Sequence, residues 1–179
     1  MEGNQRGVNE GMKLIIFFVT CSLLYGGGRY VLSTHKPRPM DVVHVAGEKE
    51  KVVPKIEAYL RRKGSPLVGY SGEFYKASSY YRIPVHIILG ICASESSLGK
   101  HYQLHTNNVF GWGYCDSCKS GLHFSSIGQG IHHVARSLAT RPQFKKFQET
   151  KDVKDLSLVY LTGDRERWVS VINSVKEEL

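Results

Sequence analysis

The sequence predicts a mainly α-helical domain. Beyond Pro54, apolar residues recur at helical spacing, glycine and proline sit where helices would start and stop, and no stretch alternates convincingly as a strand. The 179 residues suit one compact domain with an appendage. They are too few for a barrel enzyme of about 250 residues or a two-domain dinucleotide enzyme. Ten tyrosines and seven phenylalanines, with aliphatics throughout, argue against intrinsic disorder.

The chain divides into three parts. Residues 1–32 read as an export signal retained as a membrane anchor. Arg6 and Lys13 precede the uncharged run Leu14–Tyr25, which is followed by Gly26-Gly27-Gly28-Arg29. The run is short against the roughly 20 residues of a spanning helix, and no Ala-x-Ala cleavage site follows it. Residues 33–53 read as a tether, with Lys36-Pro37-Arg38-Pro39 and no sustained apolar period. Residues 54–179 form the domain.

Within the domain Pro54 can open a first helix, with Ile56, Tyr59 and Leu60 on one face and Gly64 past its end. A second runs over Gly72–Arg82 with Phe74, Ala77 and Tyr81 in line. The third, Pro84–Leu98, is apolar almost all round and should be central. A loop follows over His101–His123, broken by Asn107, Asn108, Gly111, Gly113 and Gly121. Ser126 and Gln129 form a capping-box pair that introduces a helix with Ile127, Ile131, Val134, Ala135 and Leu138 on its face. Asp152–Leu161 is a short helix, and Asp164 caps a last one carrying Trp168, Ile172 and Val175.

Glu95 is the informative residue. It is the only acidic side chain between Glu73 and Asp116, and it ends the stripe Ile88, Ile91 or Cys92 on the most apolar helix. Desolvation and the negative helix end both favour its protonated form. A carboxylic acid neutral near pH 7 is what a glycosidase needs to protonate a leaving group. The alternative is a glutamate turned to solvent, or paired with Lys100 or an arginine.

The context favours the first reading. Ala93-Ser94-Glu95-Ser96-Ser97-Leu98-Gly99-Lys100-His101 is followed by Thr106-Asn107-Asn108-Val109-Phe110-Gly111-Trp112-Gly113. This pair of strings resembles the lysozyme-like glucosaminidase domains, described as mannosyl-glycoprotein endo-β-N-acetylglucosaminidase-like and related in fold to the lytic transglycosylases of bacterial cell walls. The likeness extends more weakly from Ser65-Pro66-Leu67-Val68-Gly69-Tyr70 to Ala135-Arg136. It implies a lysozyme-like fold, a catalytic acid at Glu95 and a saccharide-cleft loop at Asn107–Trp112. It also sets Tyr160 beside the late cleft tyrosine of the superfamily, although the residues around it depart from the usual pattern and a core role is equally open.

The residue chemistry fits this expectation. Asn107 and Asn108 offer donors and acceptors to hydroxyl and acetamido groups. Trp112 and Tyr114 offer flat faces to sugar rings. Phe110 reads first as core and second as cleft wall. Asp116 is the nearest candidate for a second acid, in a loop where short acids usually form solvated turns. Without it, the substrate's acetamido oxygen or a muramyl 6-hydroxyl must attack.

Cys115 and Cys118 form a Cys-x-x-Cys, read as a local disulfide pinning the cleft loop. Zinc would need two further ligands from His123, His132 or His133, and no ligand spacing supports it. No metal or cofactor is expected. Lys and Arg number 24 against 16 Asp and Glu, a net charge of +8 that favours anionic wall polymers or membrane. The cations are spread along the chain without a nucleic-acid motif, so no nucleic-acid partner is expected. The expected partners are peptidoglycan or a related amino-sugar glycan, and a membrane through the N-terminal segment. The expected activity is glycan hydrolysis at β-1,4 bonds between amino sugars by an exported, extracytoplasmic protein. Its alternatives are anhydro-sugar formation and non-catalytic glycan binding or assembly on the same fold.

Overall fold

A computed structural model describes residues 42–161 and 163–179. The segment 1–32, read as signal and anchor, and residues 33–41 of the tether lie outside the described residues. Among the described residues there are seven α-helices and no strand, with one isolated antiparallel bridge between Cys115 and Ser120. No described helix is long and apolar enough to cross a membrane. The domain is mainly α, as the sequence predicts.

The first helix, α1, spans Val42–Arg62 and so begins well before Pro54. Residues 42–53 are therefore helical, where an irregular tether was expected. Proline lacks the N–H that would bond the Glu50 carbonyl. That loss is tolerated because residues 47–51 and Pro54 are exposed and water can take the carbonyl. The predicted face is buried: Ile56, Tyr59 and Leu60 all lie in the core.

The next helices follow their signals closely. α2 spans Ser71–Tyr81 and α3 Val85–Ser96. After Ser96 the backbone turns left-handed at Ser97 and Leu98, whose N–H groups bond the carbonyls of Ala93 and Cys92 at 3.1 Å. The buried Ser96 hydroxyl holds this turn by accepting from Gly99 N at 2.9 Å. Ser65 Oγ donates to Leu98 O at 2.7 Å. Thus the segment that begins at Ser65 meets the end of the Ala93–His101 string at one corner.

α4 spans Ile127–Thr140, and Ser126 Oγ accepts from Gln129 N at 3.1 Å as the capping pair predicts. The Gln129 side chain returns to the N–H of Ser125, one residue earlier than the usual reciprocal bond. A short helix not foreseen, α5 over Lys145–Thr150, follows a 3₁₀ turn at Pro142–Phe144 and buries Phe144 and Phe147. α6 spans Val153–Tyr160 and α7 Arg165–Glu178, capped by Asp152 and Asp164.

α3 is the central element. Ile87, Ile88, Leu89, Ile91 and Cys92 are fully buried, and each of the four large aliphatics contributes about 1.5–3 kcal/mol. Its most extensive partner is α7, while α2 packs on α4. The α3–α7 approach depends on Gly90. A methyl group there would lie 2.8 Å from Ile172 Cα, on backbone that cannot step aside. Gly90→Ala is expected to lower stability by about 1–3 kcal/mol through overpacking. Urea unfolding should show a lower midpoint at an unchanged slope.

Candidate active site

Glu95 lies in the last turn of α3, partly buried but not sealed. Trp168 of α7 is 1% exposed, and its indole Nε1–H donates to Glu95 Oε1 at 3.3 Å. Burial pushes the Glu95 carboxyl up to about 7, and the indole hydrogen bond pulls the other way. No ion pair reaches Glu95 among the described residues. The second oxygen, Oε2, faces the loop at Gly111. A methyl built on Gly111 would find Oε2 at 3.9 Å, with no other heavy atom within 4 Å beyond the neighbouring residues. Gly111, at φ +58°, thus leaves open space beside one oxygen of the acid.

Three aromatic rings lead away from the carboxyl. Trp168 and Tyr160 have ring centroids 5.2 Å apart, and Tyr160 and Trp112 have theirs 5.6 Å apart. Tyr160 is buried, and that burial, reinforced by the charge of Glu95, raises its phenol well above the usual range. It packs as a wall behind the acid, and its phenol stays neutral. Trp112 is half-buried between Phe144 and His133, with the Arg141 guanidinium 5.5 Å from its ring centre. Burial, then the charges of Arg141 and Arg136, lower the His133 pKa.

The loop residues expected to meet substrate mostly build the loop instead. Asn108 Nδ2 donates to the carbonyls of Trp112 and Leu122, each at 2.9 Å, and its Oδ1 accepts from Trp112 N at 3.0 Å. Both its donors are thereby occupied, in a side chain 4% exposed. Asn107 donates to Phe124 O at 2.9 Å from a left-handed backbone. These two amides position the loop; for Asn108 this corrects the expected role as a glycan contact, while Asn107 is half-buried and makes one such bond. Phe110 is fully buried and belongs to the core, so its cleft-wall reading is also corrected. Tyr114 is half-buried after the Gly113 turn.

Asp116 sits in the turn closed by Cys115 N donating to Ser120 O at 2.9 Å. No hydrogen bond or ion pair among the described residues joins it to Glu95. Cys115 and Cys118 are free thiols, which corrects the expected disulfide. Hydrogen bonds from Cys118 and Ser117 bring the Cys115 thiol down to about 7. The loop is held by the Asn108 hydrogen bonds to Trp112 and Leu122. Among the described residues no group of three or more His, Cys, Asp or Glu side chains could hold a metal.

The sequence reading missed Trp168 as a partner of Glu95, placing it only on the apolar stripe of α7. The available signal was chemical. A buried indole N–H seeks an acceptor, and the most apolar helix supplies one. A separate surface cavity of about 610 Å³ lies between α6 and α7, lined by Lys154, Ser157, Arg165, Glu166 and Asn173, and does not include Glu95. Compared with known proteins, the chain matches no family model, no curated protein and no solved structure.

The raised carboxyl has a consequence for stability. In the unfolded chain Glu95 titrates near 4.3; in the folded chain it titrates at about 7. Between those values the native state binds more protons, so unfolding free energy falls as pH rises. The stabilisation is complete below about pH 4 and lost by about pH 8, roughly 4 kcal/mol in all. Glu95→Gln carries no such dependence. Its stability advantage over the wild type is expected to grow as pH is raised from about 5 to about 8, read by urea unfolding at each pH.

Proposed function

We propose that the domain is a lysozyme-like glycan hydrolase that cleaves β-1,4 bonds between amino sugars of peptidoglycan. One observation carries the reading. Glu95, in the string that resembles the glucosaminidase catalytic motif, is buried enough to stay protonated near neutral pH yet keeps one oxygen beside open space at Gly111. That combination suits a general acid. Trp112, half-buried, has a ring face suited to the apolar faces of sugars, and the buried Tyr160 and Trp168 rings back it.

The chemistry follows from a single acid. The Glu95 proton passes to the glycosidic oxygen as the bond from the anomeric carbon breaks, and the leaving sugar departs as an alcohol. On this single-acid reading the attacking group comes from the substrate: the acetamido oxygen, later displaced by water, or the muramyl 6-hydroxyl, which leaves an anhydro end; the Glu95 carboxylate takes up the proton that the water or hydroxyl releases, which restores the acid. Export and membrane attachment through residues 1–32 would place the domain at its polymer, and the +8 charge favours anionic wall material.

Purified peptidoglycan tests the reading. Wild-type protein should release soluble muropeptides, at a rate that falls above about pH 7 as Glu95 loses its proton. Glu95→Gln should lose about 10²–10⁴-fold in rate while still sedimenting with insoluble wall. Mass spectrometry of the fragments separates reducing from anhydro ends, which differ by a water. No release by wild-type protein, or undiminished release by Glu95→Gln, overturns the reading; sedimentation of an inactive wild type would mark a glycan-binding module.

A further inference from the structure

Glu95 has two oxygens in different surroundings, and Trp168 creates the difference. The indole N–H donates to Oε1 at 3.3 Å, whereas Oε2 faces the space beside Gly111. We propose that Trp168 is a positioning residue: its N–H fixes the Glu95 carboxyl so that Oε1 acts as acceptor and the acidic proton sits on Oε2, the oxygen turned toward Gly111. The inference rests on the hydrolase reading for its purpose, although the Trp168–Glu95 pairing is independent of it.

The geometry gives Trp168 little freedom. It is 1% exposed, its ring lies against Tyr160 at 5.2 Å, and its helix is held to α3 at Gly90 and Ile172. An indole can donate and cannot accept, so the oxygen it touches must accept. In a protonated carboxyl the carbonyl oxygen fills that role and the hydroxyl is left on the other atom. Without the indole the carboxyl could turn about its last torsion and exchange its oxygens. A proton held on the wrong oxygen points into the protein, and a small misplacement of a reacting group is costly in rate.

Among the described residues no charged group pairs with Glu95. Cys92, on the same helix, is held neutral by burial, with its thiol pushed up to about 12. Tyr160 on α6 is neutral for the same reason. Trp168 on α7 and Gly111 in the loop carry no charge. No lysine, arginine or histidine pairs with Glu95 among the described residues. The indole N–H is therefore the group that favours the carboxylate against burial.

Trp168→Phe keeps a ring and removes the donor. Carboxyl-carbon NMR on glutamate-labelled protein should then show the Glu95 titration midpoint rising by about one pH unit. On peptidoglycan, kcat should fall about tenfold with KM little changed, and the alkaline limb should move up with the midpoint. Should Trp168→Phe fold poorly, wild-type protein supplies the test. With two tryptophans in the chain, the Trp168 indole N–H resonance is assignable, and it should titrate with the Glu95 midpoint and stop doing so in Glu95→Gln. A Glu95 midpoint unmoved in well-folded Trp168→Phe, a kcat unchanged, or an indole resonance blind to Glu95 overturns the proposal. A wild-type protein inactive on every glycan overturns the hydrolase reading instead, and the two NMR titrations still read the pairing.

Discussion

The contact between α3 and α7 is the constraint on which the site depends. It exists because Gly90 presents bare backbone to Ile172, allowing two helices to approach closely enough to exclude water. About a turn and a half further along α3 is Glu95, and about one turn before Ile172 on α7 is Trp168. A packing choice made between apolar residues therefore fixes a polar contact. The carboxyl meets the indole because the helices are locked, and the helices are locked by the absence of one methyl group.

That arrangement has an energetic cost. A carboxyl pushed up to about 7 reflects an environment in which the charged form is disfavoured. A fold optimised for stability alone would place a neutral side chain there, or bring a cation to Glu95. The chain carries 24 lysines and arginines, yet none forms an ion pair with this group among the described residues. Arg141 lies over Trp112, and its contact path to Glu95 runs through Trp112, Tyr160 and Trp168. A carboxyl disfavoured in its charged form, with no cation paired to it, is the kind of group the proposed general acid requires.

Much of the fold was legible in the sequence because its signals are local. The caps read at Ser126 and Asp164 accept from Gln129 and Arg167 N–H, and Asp152, read as the first residue of its helix, caps it by accepting from Lys154 N–H. The uninterrupted apolar run of α3 announces a buried helix, and a lone acid at its end announces a perturbed carboxyl. Pro54 misled because proline opens helices more often than it sits inside them, and exposure of the surrounding turn makes the interior position tolerable here. The loop was less legible. An asparagine pair between glycines has the right groups for a sugar, but the same groups satisfy a turning backbone. Only coordinates show that both amide donors of Asn108 are committed to Trp112 and Leu122. Trp168 was hidden for another reason: it lies 73 residues from Glu95 along the chain, and a pairing across that separation leaves no periodic trace.

Together these corrections redistribute the roles in the motif. The polar residues of the Asn107–Trp112 string shape the loop, and its glycine provides the access. Asn108 holds the carbonyl of Trp112, and so the loop's path past α3. That path brings Gly111 to Oε2 without a side chain to fill the space. A residue larger than glycine at position 111 would have to adopt a left-handed backbone and place its Cβ beside the acid. The asparagines and the glycine thus act on the same space from opposite directions: the amides hold the loop's path, and the missing side chain leaves the space beside Oε2 unfilled. An acid that is desolvated yet accessible needs both, since rigidity without the gap would seal Glu95 into the core, and a gap in a loose loop would admit bulk water and return the carboxyl to its ordinary range.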